Sequence, residues 1–188
     1  MRAFVAIDLA DNVRAALARQ QERLRAACAR HGDLRWTRPE GVHITLKFLG
    51  EVSPERQPAL TEALGRLSGF RGFPVEVHGF GFFPDARHPR VLWAGVKAPP
   101  ALAELAGRVD SALAELGFPR EDRLFQPHLT LARFRMPRPD IGLASAIDAA
   151  GAESLGSFEV NQFVLFESRL RPAGAEYLRV AVFQGAGS

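Results

Sequence analysis

The same alternating segment occurs twice in this chain, and it limits the possible folds more than any other feature. Residues 43–51 have the sequence HITLKFLGE, and residues 128–134 have the sequence HLTLARF. Residues i and i+2 of a β-strand point to the same face, so each segment predicts a strand with one apolar face and one face carrying His and Thr. Two such strands predict a protein built from two related halves.

The flanking sequence predicts that each half contains a strand, a helix, an H-x-T strand, a short helix and further strands. Helices are predicted at 11–31 (Asp11 as N-cap, Gly32 as the stop), 54–67, 100–116 and within 137–151; strands at 3–9, 43–49, 73–84, 90–96 and 128–134; and a closing hairpin at 157–170 and 175–183 around RPAG. We therefore expect an α+β fold with two pseudo-symmetric lobes, antiparallel sheets lining a central cleft and helices outside. The whole chain, 1–188, is predicted to form a single bilobal domain.

Composition narrows the class of protein. Hydrophobic residues make up 47% of the 188 residues, and no apolar run approaches the roughly 18–20 residues that span a bilayer. The N-terminal segment lacks the features of a signal peptide, so we expect a cytoplasmic protein. Cys28 is the only cysteine, which excludes an intramolecular disulfide and a cysteine-based zinc site. The net charge is +3, and all the basic residues except Lys47 and Lys97 are arginine, which permits a nucleic-acid partner without establishing one.

The two His/Thr pairs supply the groups that cleavage of a phosphodiester needs. Near neutral pH one histidine can take a proton from a nucleophile while the other protonates the leaving oxygen. Hydroxyl and guanidinium groups can stabilise the non-bridging phosphoryl oxygens. This chemistry requires no metal ion, and neither motif carries a second metal ligand on the same strand face.

Other interpretations of the histidines have less support in the sequence. A single His in a strand is usually structural, but two matching H-x-T strands are harder to explain in that way. The chain has no G-x-S-x-G elbow, no P-loop and no G-x-G-x-x-G motif. His31 and His88 are expected to be solvated surface residues, whereas His78 is either structural or a substrate contact.

The paired H-x-T-x motifs resemble those of the two-histidine phosphoesterase superfamily. The blocks RAFVAIDL, RWTRPEGVHITLKFLGEV, GFGFFP, PRVLWAGV, FQPHLTLARF and FVLFESRLRPAGAEYLRVAVF are similar to its RNA 2′,3′-cyclic phosphodiesterase branch, also called 2′-5′ RNA ligase-like. The resemblance covers nearly the whole chain. It implies a bilobal two-histidine phosphoesterase fold and metal-independent hydrolysis of RNA 2′,3′-cyclic phosphate ends to 2′-phosphomonoesters, with no cofactor.

The resemblance also implies roles for individual residues. His43 is expected to be the proton donor and His128 the proton acceptor, with Thr45 and Thr130 beside them. Arg133 matches an arginine of the family pattern, although simple strand alternation places it, like Phe48, on the face opposite the histidines; for Phe48 we therefore expect packing. Further candidates for substrate contact are Phe82 and Trp93, which can stack on a nucleobase or pack in the core. The arginines Arg35, Arg38 and Arg90 are candidates for contact with the RNA backbone.

The expected partners are RNA ends or nucleotides that carry a 2′,3′-cyclic phosphate, and we expect a monomer that does not bind membranes. Two alternatives remain open at this point. The same site can join or cleave 2′-5′ RNA linkages or act on small cyclic nucleotides. The fold can also serve as a non-catalytic nucleotide- or RNA-binding module, although binding alone does not need two titratable residues for one phosphate.

Overall fold

The structure is a computed structural model that describes residues 1–29, 31–171 and 174–187. Within these ranges the chain forms four α-helices and nine β-strands. The helices are α1 (Asp11–Ala27), α2 (Gln57–Gly65), α3 (Pro100–Glu115) and α4 (Ile141–Ala150). The strands are β1 (Arg2–Asp8), β2 (Leu34–Trp36), β3 (His43–Glu51), β4 (Phe73–Phe83), β5 (Val91–Lys97), β6 (His128–Phe134), β7 (Ser154–Val160), β8 (Gln162–Arg171) and β9 (Gly174–Gln184).

The two H-x-T strands are neighbours at the centre of one antiparallel sheet. The strand order is β7-β4-β5-β6-β3-β1-β8-β9, and β2 pairs with β6. Strands β3 and β6 meet through the pair Ile44 and Leu129, and both side chains are fully buried. The sheet therefore joins the two halves of the chain at the repeated motif.

The helices cover the apolar face of the sheet. Helix α3 packs against β3, α1 against β7, and α4 against β4. Their inward residues Leu17, Val109 and Leu143 are at most 1% exposed. The predicted α+β architecture, with an antiparallel sheet and helices outside it, is confirmed. None of the helices in the described ranges is long and apolar enough to cross a membrane.

Helix α1 differs from its prediction at both ends. Asp11 is the first helical residue and makes no side-chain cap; Ala10 occupies the N-cap position. The helix ends at Ala27 instead of continuing to residue 31. Beyond it, the backbone N–H of Ala29 donates to Asp140 Oδ1 at 3.2 Å. Asp140 also caps α4 by accepting from the backbone of Leu143 at 2.9 Å, so a contact across the fold sets where α1 stops.

The predicted single strand at 157–170 is two strands with different places in the strand order, β7 at one end and β8 next to the other end. Strand β7 pairs with β4, whereas β8, one residue further along the chain, pairs with β1. The backbone N–H of Gly185 donates to the carbonyl of Asn161, which lies between the two strands, at 2.7 Å. The predicted hairpin of β8 and β9 is confirmed by their pairing; Pro172 and Ala173 of its RPAG turn lie outside the described residues.

Candidate active site

The two His/Thr pairs share one face of the sheet. Strands β3 and β6 are antiparallel and pair at Ile44 and Leu129. Extending this register by one residue places His43 opposite Thr130 and Thr45 opposite His128. The histidines and threonines are partly exposed on the face opposite the buried Ile44 and Leu129. The structure therefore brings the four side chains together as the repeat predicted.

The two imidazole rings are held in the same way. Nδ1 of His43 lies 2.8 Å from the carbonyl oxygen of Gly41, and Nδ1 of His128 lies 2.7 Å from that of Gln126. A carbonyl oxygen only accepts, so each Nδ1 carries the hydrogen. Nε2, on the far side of each ring, is left to accept a proton in the neutral form or donate one in the charged form.

His43 lies in an aromatic environment that opposes its protonation. Its ring stacks on Phe4 with centroids 4.6 Å apart and meets the edge of Tyr177 at 5.3 Å. Burial lowers the pKa of His43 to about 4. His43 is therefore neutral at pH 7, which is the form of a base. The resemblance implies that His43 is the proton donor. For this role a bound anion must raise the pKa of His43 so that the ring is protonated.

An ion-pair network braces the turn that holds His43. Arg14 of α1 donates from Nη1 to the carbonyl of Pro39 at 2.7 Å and from Nη2 to Asp8 Oδ1 at 2.6 Å. Asp8 is the β1 partner opposite His43, and Arg179 also donates to it. Burial acts to raise the pKa of Asp8, but hydrogen bonds from Arg179 and Arg14 hold it below its usual value. Asp8 therefore stays charged and keeps Arg14 in place.

A β-bulge in each motif strand corrects the prediction for Phe48. Between β1 and β3 the pairing steps from Thr45 to Lys47, so Leu46 is the extra residue. An extra residue reverses the alternation beyond it, so Phe48 comes to the His/Thr face. It is 65% exposed, and the packing role that simple alternation suggested is wrong.

The matching bulge in β6 brings Arg133 to the same face. There the pairing steps from Thr130 to Ala132, with Leu131 as the extra residue. The carbonyl of Leu131 accepts from the backbone of Thr37 at 2.8 Å and from Gln21 Nε2 at 3.2 Å. These two donors replace the interstrand bond that the bulge removes. Arg133 and Phe48 each lie five positions after the motif histidine.

A basic cleft of about 780 Å³ borders the site. His43, Thr45 and Thr130 lie in its wall, and the described residues that line it include no Asp or Glu. Its arginines are Arg2, Arg35, Arg38, Arg133 and Arg135. Such a lining attracts an anion, and guanidinium groups match phosphate oxygens well.

The remaining predicted substrate contacts divide into two groups. Arg38 lines the cleft, and Trp93 is the β5 partner opposite Thr130. Phe82, in contrast, packs against Phe134 with centroids 6.0 Å apart and joins the apolar core, so it is not a cleft residue. Arg90 is exposed at the start of the β5 region and is not among the residues that line the cleft.

Sequence patterns missed several residues that shape the site. Phe83 lies edge-on to His128 at 4.9 Å, in place of the predicted Phe82. Gly81 leaves room for the ring of its β5 partner Trp93, which stands opposite Thr130, so positions 81 and 83 share the His/Thr face. No local sequence pattern indicated Phe4, Tyr177 or Arg14, because only the tertiary fold brings these residues close to His43.

The structure describes the side chains of two further histidines. His88 is exposed, as expected. The ring of His78 lies near Gly95, which is the β5 partner of His128, and a substrate contact by His78 stays a prediction. The side chain of His31 lies outside the described part of the structure.

Residues 7–93 and 96–177 match the family model described as LigT like Phosphoesterase. An Archaeoglobus fulgidus protein named RNA 2′,3′-cyclic phosphodiesterase is 36% identical over 184 residues, covering 98% of this chain and 100% of the relative. A Methanothermobacter thermautotrophicus protein of the same name is 34% identical over 185 residues, covering 98% of each.

Two solved structures share the fold over nearly the full length. The crystal structure of TT0787 of Thermus thermophilus superposes with a TM-score of 0.80 at 30% identity, covering 100% of this chain and 99% of that one. E. coli LigT complexed with 3′-AMP superposes with a TM-score of 0.78 at 27% identity, covering 99% and 98%. The family match, the relatives and the paired H-x-T strands agree, and this chain belongs to the LigT-like phosphoesterase family.

Proposed function

We propose that this protein hydrolyses 2′,3′-cyclic phosphate ends of RNA to 2′-phosphomonoesters by acid–base catalysis between His43 and His128. The observation that carries the proposal is the matched pair of imidazoles on neighbouring strands, each with Nδ1 fixed by a carbonyl and Nε2 left for proton transfer. Relatives at 34–36% identity over nearly the whole chain are named RNA 2′,3′-cyclic phosphodiesterase, which supports the same substrate here.

In the proposed reaction, His128 Nε2 accepts a proton from a water molecule as its oxygen attacks phosphorus. The bond between phosphorus and the 3′-oxygen breaks, and His43 Nε2 donates a proton to that oxygen. The products are a free 3′-hydroxyl and a 2′-phosphate. Transfer of the proton from His128 back to His43 through solvent restores the enzyme. Thr45 and Thr130 donate hydrogen bonds to the non-bridging oxygens, where negative charge is concentrated.

The environment of His43 adds a condition to this mechanism. The imidazole is neutral at pH 7 because burial lowers its pKa. A phosphodiester carries a negative charge, and an anion beside the ring favours the imidazolium form. Substrate binding thus supplies the charge that makes His43 an acid.

The same geometry supports treating residues 1–188 as one bilobal domain that binds RNA ends or nucleotides. The two motif strands pair directly, and the last part of the chain adds strands at both ends of the strand order, β7 at one end and β8 and β9 at the other. The monomeric state and the cytoplasmic location remain predictions.

An end-group assay tests the proposed function. The protein is incubated with EDTA and a short RNA that ends in a 2′,3′-cyclic phosphate, and the product end is identified by mass spectrometry and by its sensitivity to phosphatase. We expect a 2′-phosphate at an undiminished rate. A 3′-phosphate would contradict the assigned direction of cleavage, and loss of activity in EDTA would contradict metal independence. Binding without turnover would favour the non-catalytic module.

A further inference from the structure

The first motif strand carries a buried lysine on its helix side. Lys47 follows His43 by four residues and is 7% exposed. It stands opposite Val5 of β1, which is fully buried in the core beneath the helices, so the Lys47 side chain leaves the sheet on the face away from the histidines. A buried ammonium group is destabilising unless its charge and its donors are matched, so this position requires partners.

Lys47 bridges helix α3 and the chain that follows it. Its Nζ donates to the carboxylate of Asp110, in α3, and to the carbonyl of Pro119 at 2.6 Å. Asp110 Oδ1 also accepts from the backbone N–H of Glu121 at 3.1 Å. Burial acts to raise the pKa of Asp110, but the hydrogen bond from Lys47 holds it below its usual value. The charged pair therefore fixes the backbone at two points just beyond α3.

These contacts lie in the segment that leads to the second motif histidine. Residues 116–127 connect α3 to β6, and the described structure has no backbone–backbone hydrogen bond made by residues 119–126. This segment is therefore held by side chains. Near its end Phe125 packs against the apolar core, and the next carbonyl, that of Gln126, accepts from His128 Nδ1 at 2.7 Å. The direction of the His128 ring thus depends on how the segment is held.

The first motif histidine is supported by the same combination of groups. In the turn that holds His43, Arg14 joins the carboxylate of Asp8 to the carbonyl of Pro39. In the second half of the chain, Lys47 likewise joins a carboxylate to a proline carbonyl ahead of the motif histidine. Each histidine therefore follows a piece of chain that a cation from another element ties to an acid.

We propose that Lys47 is a positioning residue for His128. It fixes the start of the 116–127 segment, the segment carries the Gln126 carbonyl, and that carbonyl sets the direction in which His128 Nε2 points. The inference rests on the proposed function and adds a residue to its site. Lys47 does not touch the substrate, because it lies on the other face of the sheet. The first motif strand thus provides His43 on one face and supports the other histidine from the opposite face.

Lys47→Met tests this role, because methionine keeps much of the side-chain length and removes the charge. The Pro119 carbonyl loses its donor, so the 116–127 segment should loosen. We expect kcat on a nucleoside 2′,3′-cyclic phosphate to fall by about tenfold with KM little changed, since a misplaced reacting group slows the chemical step. The control is Arg66→Met, which removes an ion pair with Glu62 between two exposed side chains and should leave kcat unchanged.

The ring nitrogens of His128 give a readout that a loss of stability alone does not move. In the wild type we expect the neutral ring to carry its hydrogen on Nδ1, because the Gln126 carbonyl accepts there. In Lys47→Met the nitrogen chemical shifts should show part of the population with the hydrogen on Nε2, while the His43 ring stays unchanged. Loss of signals in His128→Ala assigns the ring. This measurement needs no substrate.

The double variant Lys47→Met/Asp110→Leu separates positioning from stability. Lys47→Met alone leaves the Asp110 carboxylate without its buried partner, which destabilises the fold. Replacing both members of a buried ion pair with apolar side chains is often neutral. The double variant should therefore recover the Tm of the wild type, whereas kcat stays low because the Pro119 carbonyl still lacks its donor.

The outcomes separate this inference from the proposed function. If Lys47→Met lowers Tm but leaves kcat and the His128 tautomer unchanged, Lys47 only supports the fold and the inference is wrong. If Tm and kcat recover together in the double variant, instability caused the lost rate, and the inference is wrong as well. If the wild type turns over no cyclic phosphate but the His128 tautomer still depends on Lys47, the proposed function fails and the positioning role stands.

Discussion

The two motif strands have nearly the same sequence pattern, but the fold surrounds their histidines differently. His43 stacks on Phe4, meets Tyr177 and lies beside a turn that Arg14 holds. His128 meets the edge of Phe83 and lies closer to solvent. Both rings keep the same Nδ1 contact to a backbone carbonyl two residues earlier. The comparison teaches that the repeat fixes the orientation of the imidazoles, whereas the neighbouring strands and helix α1 set the surroundings of each ring, and burial there lowers the pKa of His43.

Removal of either imidazole should have the largest effect. Each proton transfer typically contributes about 10²–10⁴-fold, so His43→Ala and His128→Ala should each lower kcat by that range. The double variant should lose little more than the single ones, because the two groups act in one step. Single-turnover rates on a cyclic-phosphate substrate measure this, with His88→Ala as the control. If the loss of kcat in the double variant equals the product of the two single losses, the histidines do not act together in one step.

Arg14→Met should change the surroundings of His43 and leave those of His128 unchanged. The carbonyl of Pro39 and the carboxylate of Asp8 would lose their shared donor, so the turn before His43 would loosen. Because small displacements of a reacting group can cost as much as 10²-fold, we expect kcat to fall by roughly 10- to 100-fold with KM little changed. The charge of Arg14 also lowers the pKa of His43, so this pKa should rise in the variant.

The control for Arg14 is Arg19→Met, an exposed arginine of the same helix. It should leave both kcat and the pKa of His43 unchanged. A fall in thermal stability of Arg14→Met with an unaltered kcat and pKa would mean that Arg14 only supports the fold.

Gln21→Leu should change the second motif strand, β6, and we expect a smaller effect on activity than for Arg14→Met. Gln21 is 2% exposed and donates to Leu131, the extra residue of the β6 bulge, and to the carbonyl of Thr37. Removing this donor from the buried carbonyl of Leu131 and the part-buried carbonyl of Thr37 should lower the free energy of unfolding, measured in urea, by about 1–3 kcal/mol. The bulge that brings Arg133 to the cleft would lose one of its contacts, so KM for a cyclic-phosphate substrate should rise. If Gln20→Leu, its neighbour on α1, has the same effect, the bulge contact is not the cause.

The repeat made the placement of the two His/Thr pairs predictable. The β-bulges in the motif strands could not be predicted from the sequence pattern. Strand β6 has the predicted bounds, and the placement of His43 and His128 on one face of the sheet agrees with strand alternation. Phe48 was misplaced because the extra residue at Leu46 leaves no local mark in the sequence. Arg133 came to the cleft through a bulge that Gln21, far away in the chain, helps to hold. Phe83, and not the predicted Phe82, contacts His128, and the predicted strand at 157–170 is two strands. Both differences likewise depend on tertiary strand pairing.

The pKa of His43 can be measured directly by NMR titration of the histidine rings, with the His43 signal assigned by its loss in His43→Ala. In the free protein we expect the pKa of His43 to be about 4 because of burial, so that Nε2 is unprotonated at pH 7. With saturating inorganic phosphate the pKa of His43 should rise, because the anion favours the charged ring. An ordinary histidine pKa for His43 in the free protein, unchanged by phosphate, would contradict the account.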